Sequence, residues 1–436
     1  MEQPIAQHAQ VVEWAKNPES WGHPVELYLE ICARCGTCAE VCHVYQGNPC
    51  SETNPAKRAD FLRTLYKSQA TFLGRLFSRF RLTEAVVDEW ARAFYSCSAC
   101  RRCAQYCPLG IDNSVITRKA RAILHRLGKT PKKLADTQDV SDQFGNDEGV
   151  TAMALKDMLS FLEDEIRLDK GVQVSIPVDE PADILFVPPS ADLFSSPEVL
   201  MGCAIFFHAA GLKWTMCSQA FDGANFGLFT GDEEHIRRKN KRLYDACVRL
   251  RVKKLVMGEC GHAYRVAKQL MPTFWGPLPF EVVSIFTLAS GLIRDGAIRL
   301  DPSRNPMPVT YHDPCNYTRS CGLVEEPRVV LQACADQFIE MTPNRYENWC
   351  CGGGGGLAVL DGNEGVAGMD QTFEERCVQL SGKKKAEQVR KTGAQLVSTP
   401  CANCRRQMKR LMNGHGMDVQ VVGVFDLLAR AAILSQ

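Results

Sequence analysis

Two runs of four cysteines constrain this chain more than anything else in it. The first is Cys32-x-x-Cys35-x-x-Cys38-x-x-x-Cys42. The second is Cys97-x-x-Cys100-x-x-Cys103-x-x-x-Cys107, with Pro108 directly after. This is the ligand run of proteins that carry two 4Fe-4S clusters. Three thiolates at steps of three wrap one face of a cluster from a single short loop, and the fourth points away to the other cluster. The expected sets are therefore Cys32, Cys35, Cys38 and Cys107 for one cubane, and Cys97, Cys100, Cys103 and Cys42 for the other. Four cysteines are also a zinc ligand set, but zinc sites usually pair two separated knuckles. A disulfide framework fits a long chain without a secretory signal still less well.

Composition sets the frame for that reading. The chain has 436 residues, 45% apolar and 23% charged, the make-up of an ordinary globular protein of two or three domains. Its net charge of +1 points neither to nucleic acid nor to a strongly charged membrane surface. Twenty-one cysteines exceed what packing needs and point to metal chemistry in a reducing compartment. The start of the chain has neither a basic nor an apolar leader region. The two most apolar stretches, around Ala204–Phe207 and Val282–Ile293, carry polar breaks and fall short of the roughly 20 residues of a membrane span.

The chain divides by pattern. Residues 1–130 hold both cysteine runs. Between Cys42 and Cys97, Ala56 to Phe94 reads as helix, with Phe61, Leu62, Leu65, Phe72, Leu73, Leu76, Phe77 and Phe80 at helical spacing. Phe72, Phe77 and Phe80 are expected in the core. Thr83-Glu84 reads as a helix start, and Ser114–Leu127 as a closing helix. Residues 131–180 comprise a polar linker, Gly128 to Gly149 at its widest, and a helix over Val150–Leu168. From about 180, short apolar runs such as Ile184-Leu185-Phe186-Val187 look like buried parallel strands. They recur: Phe186–Ser190 aligns with Tyr311–Cys315, Leu255-Val256 with Leu396-Val397, and Val282–Leu288 with Val421–Leu427. Two related α/β lobes, 181–300 and 301–436, follow from this repeat. The predicted fold class is α+β multidomain, a helical ferredoxin-like part followed by the two lobes.

The second lobe carries Cys315, Cys350-Cys351 and Cys401-x-x-Cys404, with five glycines, Gly352 to Gly356, after the pair. Glycine lets a backbone curl closely around a bulky group, and its N–H groups can donate to sulfur. A flexible loop and a phosphate cradle are the alternatives, although no Lys-Ser/Thr follows as in a P-loop. The pattern Cys…Cys-Cys-Gly…Cys-x-x-Cys resembles the CCG domain of heterodisulfide reductase catalytic subunits. Fused to a double-cluster domain, it is similar to the HdrD-like proteins and to their DsrK, HmcF and TmcB relatives in membrane redox complexes. The resemblance implies that Cys315, Cys350, Cys351, Cys401 and Cys404 hold a noncubane 4Fe-4S cluster and form the catalytic centre. The first lobe departs from the pattern. Ser190 stands for Cys315, Cys217-Ser218 for the cysteine pair and Ala263 for Cys404, so no cluster is expected there.

The resemblance further implies a cytoplasmic oxidoreductase subunit bound peripherally to the inner face of the membrane. Two cubanes would feed a noncubane cluster for disulfide or dithiol chemistry. Partners would be an integral-membrane cytochrome b-type subunit and, through it, periplasmic cytochrome c, with a small thiol/disulfide protein or molecule as substrate. The alternatives are a pure electron relay, or the iron–sulfur subunit of a glycolate-, lactate- or glycerol-phosphate-type oxidase. No G-x-G-x-x-G sits in a βαβ context, so neither flavin nor nicotinamide is expected on this chain. Smaller signals are His312-Asp313 and His262, as proton donors or structural groups, and the basic runs Lys383–Lys385 and Arg405–Arg410, as a positive patch that would lower a substrate thiol pKa or steer an acidic partner, or as a solvated helix face. Arg237–Arg242 reads as a solvated face. Cys50, Cys247, Cys321, Cys334 and Cys377 read as ordinary buried residues.

Overall fold

The computed structural model describes residues 6–360 and 379–434. Its packing groups the chain into two compact units. The first gathers the described residues of Met1–Asp136, Phe226–Glu233 and Trp349–Lys385. The second holds Thr137–Asn225, Glu234–Asn348 and the rest from Ala386. Cys377 lies outside the described residues.

The first unit is built on helices, chiefly His23–Ile31, Pro55–Gln69, Glu84–Tyr95 and Asn113–Arg126. Their starts are written in the sequence. Asn54 accepts from the amides of Ala56 and Lys57 ahead of Pro55, Thr83 accepts from Val86, and Asp112 accepts from Ser114. Their inner faces bury Leu29, Leu62, Leu65, Trp90, Phe94, Ile116 and Ile123. Trp21 meets Tyr66 edge-on at 5.2 Å. One expectation fails here. The segment between the cysteine runs breaks after Gln69 into the short helix Phe72–Phe77, and Phe72 and Phe77 are exposed rather than in the core. Only Phe80 packs inward, stacked 6.4 Å from Trp90. Helical spacing identifies an apolar face but not whether any other element covers it. Likewise, the stretch read as a linker is helical over Lys132–Phe144, and the next helix runs Ala152–Lys170.

The second unit contains two four-stranded parallel sheets. β1 (Ile184–Val187), β2 (Trp214–Thr215), β3 (Lys254–Met257) and β4 (Glu281–Ser284) lie in the order β2-β1-β3-β4. β5 (Val309–Tyr311), β6 (Phe338–Ile339), β7 (Leu396–Ser398) and β8 (Gln420–Val422) lie in the order β6-β5-β7-β8. The central strands are short apolar runs because helices cover both faces of a parallel sheet. The repeated sequence segments occupy equivalent strands. The residues at which the following helices begin also correspond, with near-equal backbone angles: Ser190 with Cys315, Cys260 with Cys401, and Ser284 with Gly423. Within the ladders the match shifts by one residue, since Ile184 pairs with Lys254 where Val309 pairs with Leu396.

Helix packing between the two sheets is reciprocal. Pro197–Ala209, after β1, packs on Val424–Ala431, after β8. Ile285–Arg294, after β4, packs on Glu326–Cys334, after β5. This is the arrangement of two lobes related by a pseudo-twofold. Gly202 lies against the Phe425 carbonyl, where a Cβ would collide. Phe425 contacts Phe206 and Phe286 at 5.4 and 5.6 Å between ring centroids.

Candidate iron–sulfur centres

The two cysteine runs fold into matching loops. Arg34 and Ala99, each two residues after the first cysteine, have φ of 57° and 51°. Gly36 and Arg101, each directly after the second cysteine, have φ of 88° and 63°. Three of these four are not glycine, so the left-handed backbone is a strained conformation held at the same two steps of both loops. A short helix then carries the third cysteine, Thr37–Glu40 for Cys38 and Arg102–Tyr106 for Cys103, and these helices pack on each other. Cys42 and Cys107 follow them in nearly the same extended conformation, with φ, ψ of −83°, 116° and −72°, 120°.

Cys42, Cys97, Cys100 and Cys103 line one cavity together with His43, Arg58, Ser98, Arg101 and Arg102. Burial pushes the Cys103 thiol well up, and the sulfurs of Cys100, Cys42 and Cys97 push it further. In the first loop, burial and the sulfurs of Cys32, Cys35 and Cys42 raise Cys38 to about 11. Cys35 is exposed at the rim, and Cys107 is half-buried. Arg58 is fully buried, donates to Ser96 Oγ at 3.3 Å, and forms no ion pair with a carboxylate among the described residues. Burial alone would lower its guanidinium, yet the thiols of Cys97, Cys42 and Cys103 leave it raised. Crowded thiols that oppose one another's ionisation, beside a buried cation without a carboxylate, fit an anionic cluster with four thiolate ligands.

Cys350 and Cys351 are buried in this same unit. The glycines after them serve a close approach. A Cβ on Gly354 would stand 2.5 Å from the Ser98 carbonyl oxygen, and one on Gly355 would stand 2.8 Å from that of Cys97. Gly352, Gly355 and Gly356 have positive φ, and the Gly352 amide donates to Cys350 Sγ at 3.3 Å. Arg121 ties the loop down, donating to the carbonyls of Gly355 (2.7 Å), Cys97 (2.7 Å), Phe229 (2.8 Å) and Phe94 (3.0 Å). His43 Nε2 is 2.7 Å from Ser98 Oγ, which lies 3.6 Å from Cys350 Sγ. A ring nitrogen of His43 and the sulfurs of Cys100 and Cys350 all lie within 4.8 Å of one another.

Cys315, Cys401 and Cys404 belong to the second unit. Arg319 donates to Cys315 Sγ at 2.8 Å and to the Tyr346 and Asn348 carbonyls. Cys401 starts the helix Ala402–Gly414, with Cys404 one turn on. A hydrogen bond from Cys404 holds the Cys401 thiol down to about 6 against its burial, helped by the Cys404 and Gly261 amides and by Arg405. Arg405 is not part of a solvated face. It is buried and pairs with Asp192 and, at 2.5 Å, with Glu259. Glu259 also accepts from the Val424 and Phe425 amides at 2.8 and 2.9 Å. Burial still raises Asp192 to about 7 and Glu259 to about 8.

Other sequence signals resolve individually. Asp313 is structural, gripped by both Nη atoms of Arg328 at 2.8 and 2.9 Å. His262 is buried, accepts from the Asn225 amide at Nε2, and sets Nδ1 3.1 Å from Cys260 Sγ. Burial lowers it to about 4, so it is neutral and cannot donate a proton as an imidazolium near pH 7. Lys239 leaves the solvated face to pair with Asp147 and Asp222. Cys247 and Cys334 are buried, Cys321 is half-buried and Cys50 is exposed. The residues that sequence reasoning missed are His43, Arg58, Ser98 and Arg121. Only the positions of His43 and Ser98 directly after cysteines could have marked them.

A 4Fe-4S dicluster domain matches residues 28–111, and a CCG cysteine-rich domain matches residues 309–409. Together with the matched loops, these define an iron–sulfur oxidoreductase subunit that carries 4Fe-4S clusters. The chain is 30% identical to the Hdr-like menaquinol oxidoreductase iron–sulfur subunit of Archaeoglobus profundus, over 94% of this chain and 80% of that protein. The corresponding subunit 2 of Archaeoglobus fulgidus has the same identity and coverage. A Methanosarcina barkeri relative, from the dihydromethanophenazine:CoB–CoM heterodisulfide reductase, is 24% identical over 94% of this chain and 95% of that one. The chain belongs to the HdrD-like family of heterodisulfide-reductase-type iron–sulfur subunits.

Proposed function

We propose that this protein passes electrons from a membrane-bound donor to a disulfide-reducing or dithiol-oxidising centre on the same chain. Cys32, Cys35, Cys38 and Cys107 would hold one cubane, and Cys97, Cys100, Cys103 and Cys42 the other. Cys315, Cys350, Cys351, Cys401 and Cys404 would hold a noncubane cluster in the second lobe. Bound there, the clusters would supply single electrons, two of which with two protons convert a disulfide into two thiols. The first lobe, with Ser190, Cys217, Ser218, Cys260 and Ala263 at the matching positions, would hold none. The observation that carries the reading is the approach of Cys100 and Cys350 to within 4.8 Å, with His43 beside both. It brings a sulfur of the second cysteine run to a sulfur of the CCG pair.

No helix among the described residues is long and apolar enough to cross a membrane. The subunit would act at the cytoplasmic face, through an integral-membrane cytochrome b-type partner connected to periplasmic cytochrome c. The menaquinol named for the Archaeoglobus relatives fits such a donor. The substrate would be a small thiol/disulfide protein or molecule. The test is Cys351→Ser in anaerobically prepared protein, with disulfide turnover and the paramagnetic signals of the reduced cubanes followed together. Turnover should vanish while the cubane signals persist. Turnover at the wild-type rate would replace this reading by that of a pure electron relay.

A further inference from the structure

The helix Phe72–Phe77 presents its large side chains outward. Phe72, Leu73, Leu76 and Phe77 are 79%, 66%, 65% and 72% exposed. This is a contiguous apolar surface on six residues, not the scattered exposed leucine that any protein carries.

The turn is braced rather than loose. Thr71 Oγ1 accepts from the Gly74 amide at 3.1 Å and donates to the Lys67 carbonyl at 2.7 Å. Gly74 sits directly on that carbonyl, where any Cβ would collide. Lys67 pairs in turn with Glu30, and on the far side Phe80 stacks on Trp90. The fold thus holds the apolar side chains out at a fixed place.

Charge identifies what would cover them. From Thr71 to Thr83 there are three basic residues, Arg75, Arg79 and Arg81, and no Asp or Glu, while Arg63 and Lys67 upstream are already paired with Asp60 and Glu30. Arg75, Arg79 and Arg81 are exposed around the apolar tip. The whole chain carries a net charge of only +1, so this excess is local. Aromatic and leucine side chains surrounded by arginine match a surface where anionic groups lie directly above hydrocarbon. That is the chemistry of an anionic phospholipid bilayer, in which the rings enter the headgroup layer and the guanidinium groups take the phosphates.

We propose that the turn Thr71–Arg81 docks on anionic phospholipid and so fixes this chain to the membrane surface by a contact of its own, beyond any protein partner. The inference rests on the membrane-side location given above and deepens it. One shallow anchor makes a reversible attachment that salt weakens.

The experiment is flotation of the anaerobically purified holoprotein, without other subunits, with vesicles of equal phosphatidylglycerol and phosphatidylethanolamine, or of phosphatidylcholine alone. The protein should float with the anionic vesicles at low salt, and at least tenfold less with phosphatidylcholine or in 1 M salt. The double variants Phe72→Ser/Phe77→Ser and Arg75→Glu/Arg79→Glu should each lose at least tenfold while keeping iron content and the visible spectrum. Failure of wild type to float with anionic vesicles, or unchanged flotation of both variants, overturns the proposal. So does a result in which the variants fail only to join an integral-membrane subunit in detergent, because a protein then covers the tip. Turnover by Cys351→Ser would overturn the catalytic reading without altering flotation, so the two fail separately.

Discussion

Arg121 is the group through which the first unit holds its glycine loop, and its removal can be worked out in advance. The guanidinium is buried, lies 4.6 Å from the Tyr95 ring, and donates to four carbonyls on Phe94, Cys97, Phe229 and Gly355. Burial lowers its basicity, and no carboxylate pairs with it among the described residues. Arg121→Met keeps the volume and deletes every donor. A buried carbonyl left without a partner costs about 1–3 kcal/mol; the Phe94 carbonyl keeps the Cys97 amide as donor, so the other three set an upper range of about 9 kcal/mol. Relief from burying a lone cation returns several kcal/mol, leaving a net loss of about 4 kcal/mol. For a unit of this size that lowers the melting midpoint by roughly 8–16 °C. Arg121→Lys keeps the charge but supplies donors from a single point, and should recover about half. Anaerobic thermal melting of the holoprotein, read at the cluster absorbance and in the far ultraviolet, measures both. A midpoint for Arg121→Met within about 2 °C of wild type would show that the carbonyls find other donors and that Arg121 is not the tie.

Cys42→Ser should release about four of roughly twelve irons and spare the signal that depends on Cys32, Cys35 and Cys38; loss of that signal instead would reverse the crosswise assignment. Cys217→Ala/Cys260→Ala should keep full iron content by colorimetric assay, and a loss of about four irons would place a cluster in the first lobe. His262, lowered to about 4 by burial, takes up a proton on unfolding at any pH between that value and its ordinary one near 6.5. Its contribution is therefore complete above about pH 6.5 and falls by up to about 3 kcal/mol as the pH drops to 4. Melting midpoints between pH 7 and 5 should fall less steeply in His262→Gln than in wild type, and parallel curves would assign the acid sensitivity elsewhere.

The parts legible in the sequence are those set by local spacing. Thr83 caps its helix as its position before Glu84 suggested. The repeat was visible because Ser190 and Cys315, or Cys260 and Cys401, must each close a strand and open a helix. What stayed hidden depends on partners far away in the chain. Arg405 looks like one of a basic run until Asp192 and Glu259 are found against it. Lys239 sits among exposed arginines in sequence but faces Asp147 and Asp222. Phe72 and Phe77 share the spacing of Leu62 and Leu65, yet nothing in that spacing says that the helix breaks at Gln69. The five glycines suggested room for a bulky group; the structure shows them also meeting the Cys97–Ser98 backbone.

The grouping of Trp349–Lys385 with the N-terminal residues has a consequence for biosynthesis. On the ribosome, Cys107 is made about 250 residues before Gly355, in the last stretch of chain that its unit needs. At roughly 5–20 residues per second, that gap lasts on the order of 12–50 seconds. During it the thiols of both runs are made while Arg121 lacks the Gly355 carbonyl and the Cys97–Ser98 backbone lacks its glycine loop. Any factor that loads iron and sulfide has this interval of open access. Truncation before Gly355 would prolong it indefinitely, so nascent or truncated chains are the forms in which oxidants would reach these cysteines first.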